Sequence, residues 1–257
     1  MGRFVGFFLL LMLLACSSPE GGDGTTTNQT LLSPEHQSWL AALQEDEAAQ
    51  AAPAAYGATG VVFAEGQVYQ GSEAIAGYWA SAPKPQRFDN EFLLEHDADH
   101  YFELGHYQFA DAATPPLAAM LAWEKVDGEW QRAIEILYPH TFTEKGDRTP
   151  IDEARDQWIE LSNGMDVGYL VRTSYTPNAY YVNQGKVVQG TQAITQAYSY
   201  MGQTGWQIML APHQMKQVQD NLYYEIGQYR SNGIGHYILL WEKQPSGQWQ
   251  VLLDFNF

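Results

Sequence analysis

One stretch of this chain occurs twice, and that limits the fold more than any other feature. Ala64-Glu65-Gly66-Gln67-Val68-Tyr69-Gln70-Gly71 runs into Ser72-Glu73-Ala74-Ile75. Asn183-Gln184-Gly185-Lys186-Val187-Val188-Gln189-Gly190 runs into Thr191-Gln192-Ala193-Ile194. Gly185 and Gly190 stand 119 positions after Gly66 and Gly71, and Trp158 stands 119 after Trp39. Trp123-Glu124-Lys125 recurs as Trp241-Glu242-Lys243, and Trp130 as Trp249. A period this long is a whole domain, not one turn of a solenoid. Each copy reads as a tight turn, a short strand, a second glycine and a helix opened by Ser or Thr.

The N-terminus precedes both copies and has a different chemistry. Arg3 is a positive n-region, and Phe4 to Leu14 is an apolar run too short to span a bilayer, which needs about 20 residues. Leu13-Leu14-Ala15-Cys16 resembles a bacterial lipobox: a small residue at the cut, then a thiol to carry lipid. Residues 1–16 are therefore expected to be a lipoprotein signal peptide, with Cys16 lipidated. Cys16 is the only cysteine, so the mature fold has no internal disulfide. Residues 17–31 lack the apolar side chains that would offset ordering entropy and read as a tether. No aspartate directly follows Cys16, which by resemblance to lipoprotein sorting in diderm bacteria implies the outer membrane, or more broadly the cell envelope. The formal net charge is −17. Residues 17–150 carry 21 acidic and 6 basic side chains, a net −15, against −3 for residues 151–257. Such a surface repels nucleic acid, which is not expected as a partner.

Two domains are expected, at 32–139 and 150–257, joined by a linker at 140–149. In the first, Ser33-Pro34-Glu35 opens a helix, and the alanine-rich run to Ala55 is a second short helix or a break at Pro53. Val61–Phe63 and Val68-Tyr69 form a hairpin, and Ser72 caps a helix through Trp79. Strands at Arg87–His96, Tyr101–Ala110, Leu117–Val126 and Glu129–Tyr138 follow. The second copy repeats this order, ending in strands at Trp206–Val218, Leu222–Arg230, Ile234–Lys243 and Gln248–Phe257.

Helix, short helix, hairpin, helix and four meandering strands: this order is similar to the nuclear transport factor 2-like superfamily, which includes SnoaL-like and ketosteroid-isomerase-like proteins. The resemblance is carried by Asp166, Tyr175-Thr176-Pro177-Asn178-Ala179, Gly185, Gly190, Ala193-Ile194 and Trp241 with Gly247-Gln248-Trp249. In the first copy Ala58-Thr59-Gly60 replaces the Thr-Pro-Asn-Ala segment, so that copy has diverged. The resemblance implies an α+β fold in which each domain is a cone, a curved antiparallel sheet wrapped around helices, with a ligand pocket at the mouth. Tyr223, Glu225 and Tyr229 alternate with Leu222, Tyr224 and Ile226, and Tyr237, Leu239 and Trp241 with Ile238 and Leu240. Both faces of these strands are apolar, so neither is simply solvated. The two domains are expected to pair sheet to sheet within the chain as a pseudo-dimer, and the chain to be otherwise monomeric.

Glu225 and Asp254 are the candidate catalytic carboxylates, since a carboxylate buried in an apolar cone has a raised pKa suited to a general base. Tyr229 is the candidate donor to a developing oxyanion. Tyr181, Asn183, His213, His236 and Trp241 are the candidate ligand-binding residues. Against this, Glu225 or Asp254 could pair across strands with Arg230 or Lys243. Glu103 aligns with Glu225 and Glu135 with Asp254, whereas His213 and His236 have no counterpart in the first copy. Glu95-His96-Asp97-Ala98-Asp99-His100, with His106 beyond, offers metal-ligand side chains, but Asp97–Asp99 reads as a turn and the spacing alone does not converge them. No metal and no cofactor is expected. Three readings follow: a lipid-anchored protein binding a small apolar or amphipathic molecule, a SnoaL-like isomerase, dehydratase or cyclase, or a protein-interaction module.

Overall fold

The computed structural model describes residues 33–139 and 147–257. The signal segment, Cys16, the tether and most of the linker lie outside the described residues.

The first unit runs α1 (Pro34–Gln44), α2 (Ala48–Tyr56), β1 (Val61–Ala64), β2 (Gln67–Gln70), α3 (Ser72–Ser81), β3 (Pro85–Glu95), β4 (His100–Phe109), β5 (Leu117–Val126) and β6 (Glu129–Pro139). The second runs α4 (Thr149–Asn163), α5 (Val167–Ser174), β7 (Tyr175–Asn183), β8 (Lys186–Gln189), α6 (Thr191–Ala197), a 3-10 turn (Ser199–Gly202), β9 (Met209–Gln219), β10 (Leu222–Arg230), β11 (Ile234–Lys243) and β12 (Trp249–Asn256). Each unit is α+β with one six-stranded sheet, ordered β2-β1-β6-β5-β4-β3 and β8-β7-β12-β11-β10-β9. The four long strands meander antiparallel, while the hairpin joins through a parallel pair, β1 on β6 and β7 on β12. Bulges at equivalent places, Ala122/Trp123 and Leu240/Trp241, are among several that bend the sheets around their helices.

The repeated stretch has a geometric meaning. Glu65 and Gly66, like Gln184 and Gly185, hold positive φ, which makes the tight hairpin turn. The helix after it is not capped by Ser72 or Thr191 as expected: the cap residues are Gly71 (φ 79, ψ 158) and Gly190 (φ 84, ψ 156). That backbone conformation is nearly closed to any residue with a Cβ. Each glycine N–H bonds back to the strand base, Gly71 to Gly60 O (2.9 Å) and Gly190 to Ala179 O (2.8 Å). Pro53 does not break its helix; α2 runs through it. At α1 and α5 the caps are side chains, Ser33 accepting from His36 N and Asp166 from Tyr169 N.

A third pair of glycines sits within the sheets. A Cβ on Gly105 would strike the Phe88 ring and Asp89 O, and one on Gly227 would strike the Tyr237 hydroxyl and Ala211 O. Both sheets therefore let a ring cross the strand at one point of β4 or β10.

The helices cover one face of each sheet. In the first unit Trp39, Leu43, Ile75 and Trp79 pack on Val62, Tyr107 and Leu121. In the second Ile151, Trp158, Leu170 and Ile194 pack on Tyr223, Leu239 and Val251. The opposite faces of the two sheets form one shared core, with Phe63, Phe102, Met120 and Ile136 against Tyr224, Ile226, Ile238 and Leu240. Each such side chain contributes roughly 1.5–3 kcal/mol on leaving water, so alternating strand residues serve two cores. Phe63 meets Tyr180 with ring centroids 5.5 Å apart, Gln70 Nε2 donates to Gly185 O (2.7 Å), and Lys216 lies 3.5 Å from Glu91.

Candidate functional site

A cavity of about 270 Å³ opens into the helix side of the second sheet. Trp158 of α4, Tyr181 and Asn183 of β7, Tyr198, Tyr200 and Trp206 around the 3-10 turn, Tyr229 of β10 and Leu239 of β11 line it. Asp254 and Asn256 of β12 close its base.

Asp254 is almost wholly buried, 2% exposed. Its Oδ2 accepts from Tyr175 (2.6 Å) and from Tyr198, and its Oδ1 from Asn256 Nδ2 (2.9 Å). Trp158 Nε1 donates to the Tyr175 hydroxyl (3.0 Å), which fixes the direction in which that hydroxyl donates. Burial raises the Asp254 pKa above the usual carboxylate range, and the Tyr175, Tyr198 and Asn256 bonds only partly oppose it. Burial and the adjacent carboxylate push both tyrosines well above their ordinary value. Tyr200, on the cavity wall, is pushed up to about 12, by burial first and then by Asp254.

Glu225 faces the same way but lies below the cavity. It is fully buried and accepts from Tyr237 (2.6 Å) and Trp241 Nε1 (3.0 Å), with Arg155 Nη1 at 3.3 Å. Burial raises its pKa, and Arg155, Tyr237 and Trp241 pull it back. The partners suggested by strand pairing, Arg230 and Lys243, are not the ones found: the cation reaches Glu225 from α4, and Asp254 has tyrosines.

Of the residues singled out in the sequence, Tyr181, Asn183, Tyr229 and Asp254 meet at the cavity. Glu225 bonds Tyr237, which lines it. Trp241 shares the inner face with Tyr237 and Leu239, but it is fully buried one step further along, against Glu225. The assignment of Trp241 to the ligand is therefore corrected to a structural donor. His236 and His213 are corrected as well. His236 falls in step with Ile238 and Leu240 on the face that meets the other sheet. Its ring lies 4.0 Å from that of His96 in the first unit and 5.4 Å from that of His213. Burial, then His96 and His213, bring the His236 pKa down to about 4. The turn that seemed unable to converge does so: one ligand atom each of His96, Asp97 and His100 lies within 4.8 Å of the others. Asp97 joins them as a hydrogen-bonded turn, 2.9 Å from His100 Nδ1 and 2.8 Å from Asp99 N.

The sequence reading missed Tyr175, Tyr198, Trp158, Asn256 and Arg155. The 119-residue offset carries a signal for most of them: Tyr56 precedes Tyr175, Trp79 precedes Tyr198 and His36 precedes Arg155 at that spacing. In the first unit Tyr56 and Tyr107 (2.6 Å) donate to Glu135, as Tyr175 and Tyr198 donate to Asp254.

No protein-family profile and no curated protein matches the chain. Solved structures do. A nuclear transport factor 2-like protein of unknown function from Shewanella oneidensis is 15% identical, covers 42% of this chain and 96% of its own, and superposes with a TM-score of 0.38. A ketosteroid isomerase-like protein from Erwinia carotovora atroseptica is 15% identical over 44% of this chain and 96% of its own, at 0.36. A nuclear transport factor 2-like superfamily protein from Salmonella enterica is 16% identical over 43% and 89%, also at 0.36.

Proposed function

We propose that the chain is a membrane-anchored protein whose second unit binds a small amphipathic molecule in its aromatic cavity. The observation that carries this reading is the cavity itself: an apolar, ring-lined space of about 270 Å³ whose base is a buried carboxyl with no cation beside it among the described residues. A well-formed apolar pocket with a few convergent polar groups is the usual form of a small-molecule site. General-base catalysis by Asp254 has less support, because both of its oxygens already accept from Tyr175, Tyr198 or Asn256. Binding to the cavity is tested by thermal shift and native mass spectrometry of the chain with a panel of small amphipaths. A ligand that raises the melting temperature of the wild type should lose most of that effect in Tyr229→Ala, which removes one wall. A panel without any stabilising member, or a shift equal in Tyr229→Ala, rejects the cavity as the site.

Anchoring rests on Cys16. In cells fed an alkyne fatty acid the chain should carry the label and sediment with membranes, and Cys16→Ala should do neither. Label retained in Cys16→Ala would remove the lipobox reading.

A further inference from the structure

The two units place their buried arginine differently. In the first, two buried carboxylates, Glu103 and Glu135, sit among His36 and Arg132. His36 Nδ1 lies 3.0 Å from Glu103 Oε2. Arg132 is fully buried, and its three guanidinium nitrogens have no hydrogen-bond partner among the described residues. Its guanidinium carbon instead lies 4.3 Å from the Trp123 ring centre, 5.3 Å from Tyr56 and 5.6 Å from Trp39. Burial works against this charge, and Tyr56, Tyr107, Glu135 and Glu103 outweigh it, so its pKa rises. The first unit thus encloses a cation held by ring faces and by the field of two carboxylates.

In the second unit Glu225 has Arg155, which stands on α4 where His36 stands on α1. Asp254 occupies the Glu135 position, and the Arg132 position is Val251. Asp254 is therefore the carboxyl without a cation beside it among the described residues, and it is the one that lines the cavity. The cavity walls are also those that suit a cation: seven aromatic side chains line it, Trp158, Tyr200, Trp206 and Tyr229 among them.

We infer that the ligand is an organic cation, an alkyl- or arylammonium whose charged head lies beside Asp254 and whose apolar body fills the aromatic cavity. This rests on the cavity reading above. The head takes in the second unit the role that Arg132 has in the first. An ammonium there meets a carboxylate in a poorly solvated space, where charge-charge and cation–π terms are strongest. An anion would meet the same carboxylate and be excluded. Burial raises the Asp254 pKa, and a cation beside it favours the ionised form and lowers that pKa. Affinity for the cation should therefore rise with pH through the Asp254 ionisation.

The test compares phenyltrimethylammonium with tert-butylbenzene, its neutral carbon isostere, by calorimetric titration of the whole chain. The cation should bind about tenfold tighter or more at pH 8, and its advantage should fall as the pH is lowered. Asp254→Asn should bind the two alike. Val251→Arg, which installs the first unit's arginine, should abolish binding of the cation. Its circular dichroism reports whether it folds, and the pH series on the wild type decides the question if it does not. Equal binding of both probes by the wild type at pH 8 would overturn the cationic ligand and leave the cavity as a site. Binding of neither would overturn both.

Discussion

Glu225→Ala should lower the stability of the chain by about 3–5 kcal/mol, the usual cost of breaking a buried ion pair by removing one partner. Glu225 is completely buried and holds three side chains on two elements: Arg155 from α4, and Tyr237 and Trp241 from the neighbouring strand. Truncation leaves an almost buried guanidinium facing empty space, and two ring donors without acceptors. Arg155 retains Asp152 on its own helix, but that carboxylate is half exposed and screened by water. Glu225→Gln separates the two contributions. Its amide oxygen can take the Oε2 place and accept from Trp241 while its amide N–H donates to the Tyr237 hydroxyl, so it should lose chiefly the charge pairing and recover part of the deficit. Urea melts of the three proteins measure this directly. A loss in Glu225→Ala below about 1 kcal/mol, the size of one ordinary hydrogen bond, would mean that Arg155 is not held by this carboxylate.

The sequence told more about the sheets than about the site, for a physical reason. Strand positions follow from period-two alternation and turn residues, both local, and β5, β10 and β11 coincide with the runs marked by that pattern. The face a strand residue takes is not local when both faces are apolar. His236 could be read into the cavity because alternation on β11 was clear while its inside and outside were not; Trp241 is on the inner face but lies beyond the cavity, against Glu225. The paired carboxylates Glu135 and Asp254 were legible through the repeat. Their partners were not. Tyr175 was hidden in Thr176-Pro177-Asn178, which carries turn chemistry; it begins a strand because Val251 of β12 offers a parallel partner there. Arg155 lies on a helix of charged residues, and only Glu225, 70 residues on, decides that it turns inward. Arg132 stands in a strand beside Trp130, where a surface cation over a ring would be the ordinary reading.

Arg132→Ala should be comparably destabilising, again about 3–5 kcal/mol at neutral pH, and its deficit should shrink in acid. In the wild type burial pushes Glu103 up, but His36, Arg132 and Asn90 together more than offset this, and its pKa lies below the ordinary value. A carboxyl with a depressed folded-state pKa contributes stability above its unfolded pKa and loses it as pH falls through the folded one. Removing Arg132 removes part of that depression, and it leaves Glu135 buried with only the Tyr56 and Tyr107 hydroxyls. The variant therefore suffers most where Glu103 must be charged and least where it is protonated. The gap between wild-type and variant melting temperatures should be widest near pH 7 and narrow toward pH 4. A gap that does not change with pH would mean that Arg132 acts through volume alone, as a filler among Trp39, Tyr56 and Trp123. A second measurement isolates the charge. The truncation leaves a ring-lined hole beside two carboxylates, so millimolar methylguanidinium should raise the melting temperature of Arg132→Ala more than that of the wild type. Urea of the same concentration, planar but neutral, should not. Rescue by methylguanidinium alone would establish that a ring-lined interior in this fold holds a cation, which is the property the second unit's cavity would share.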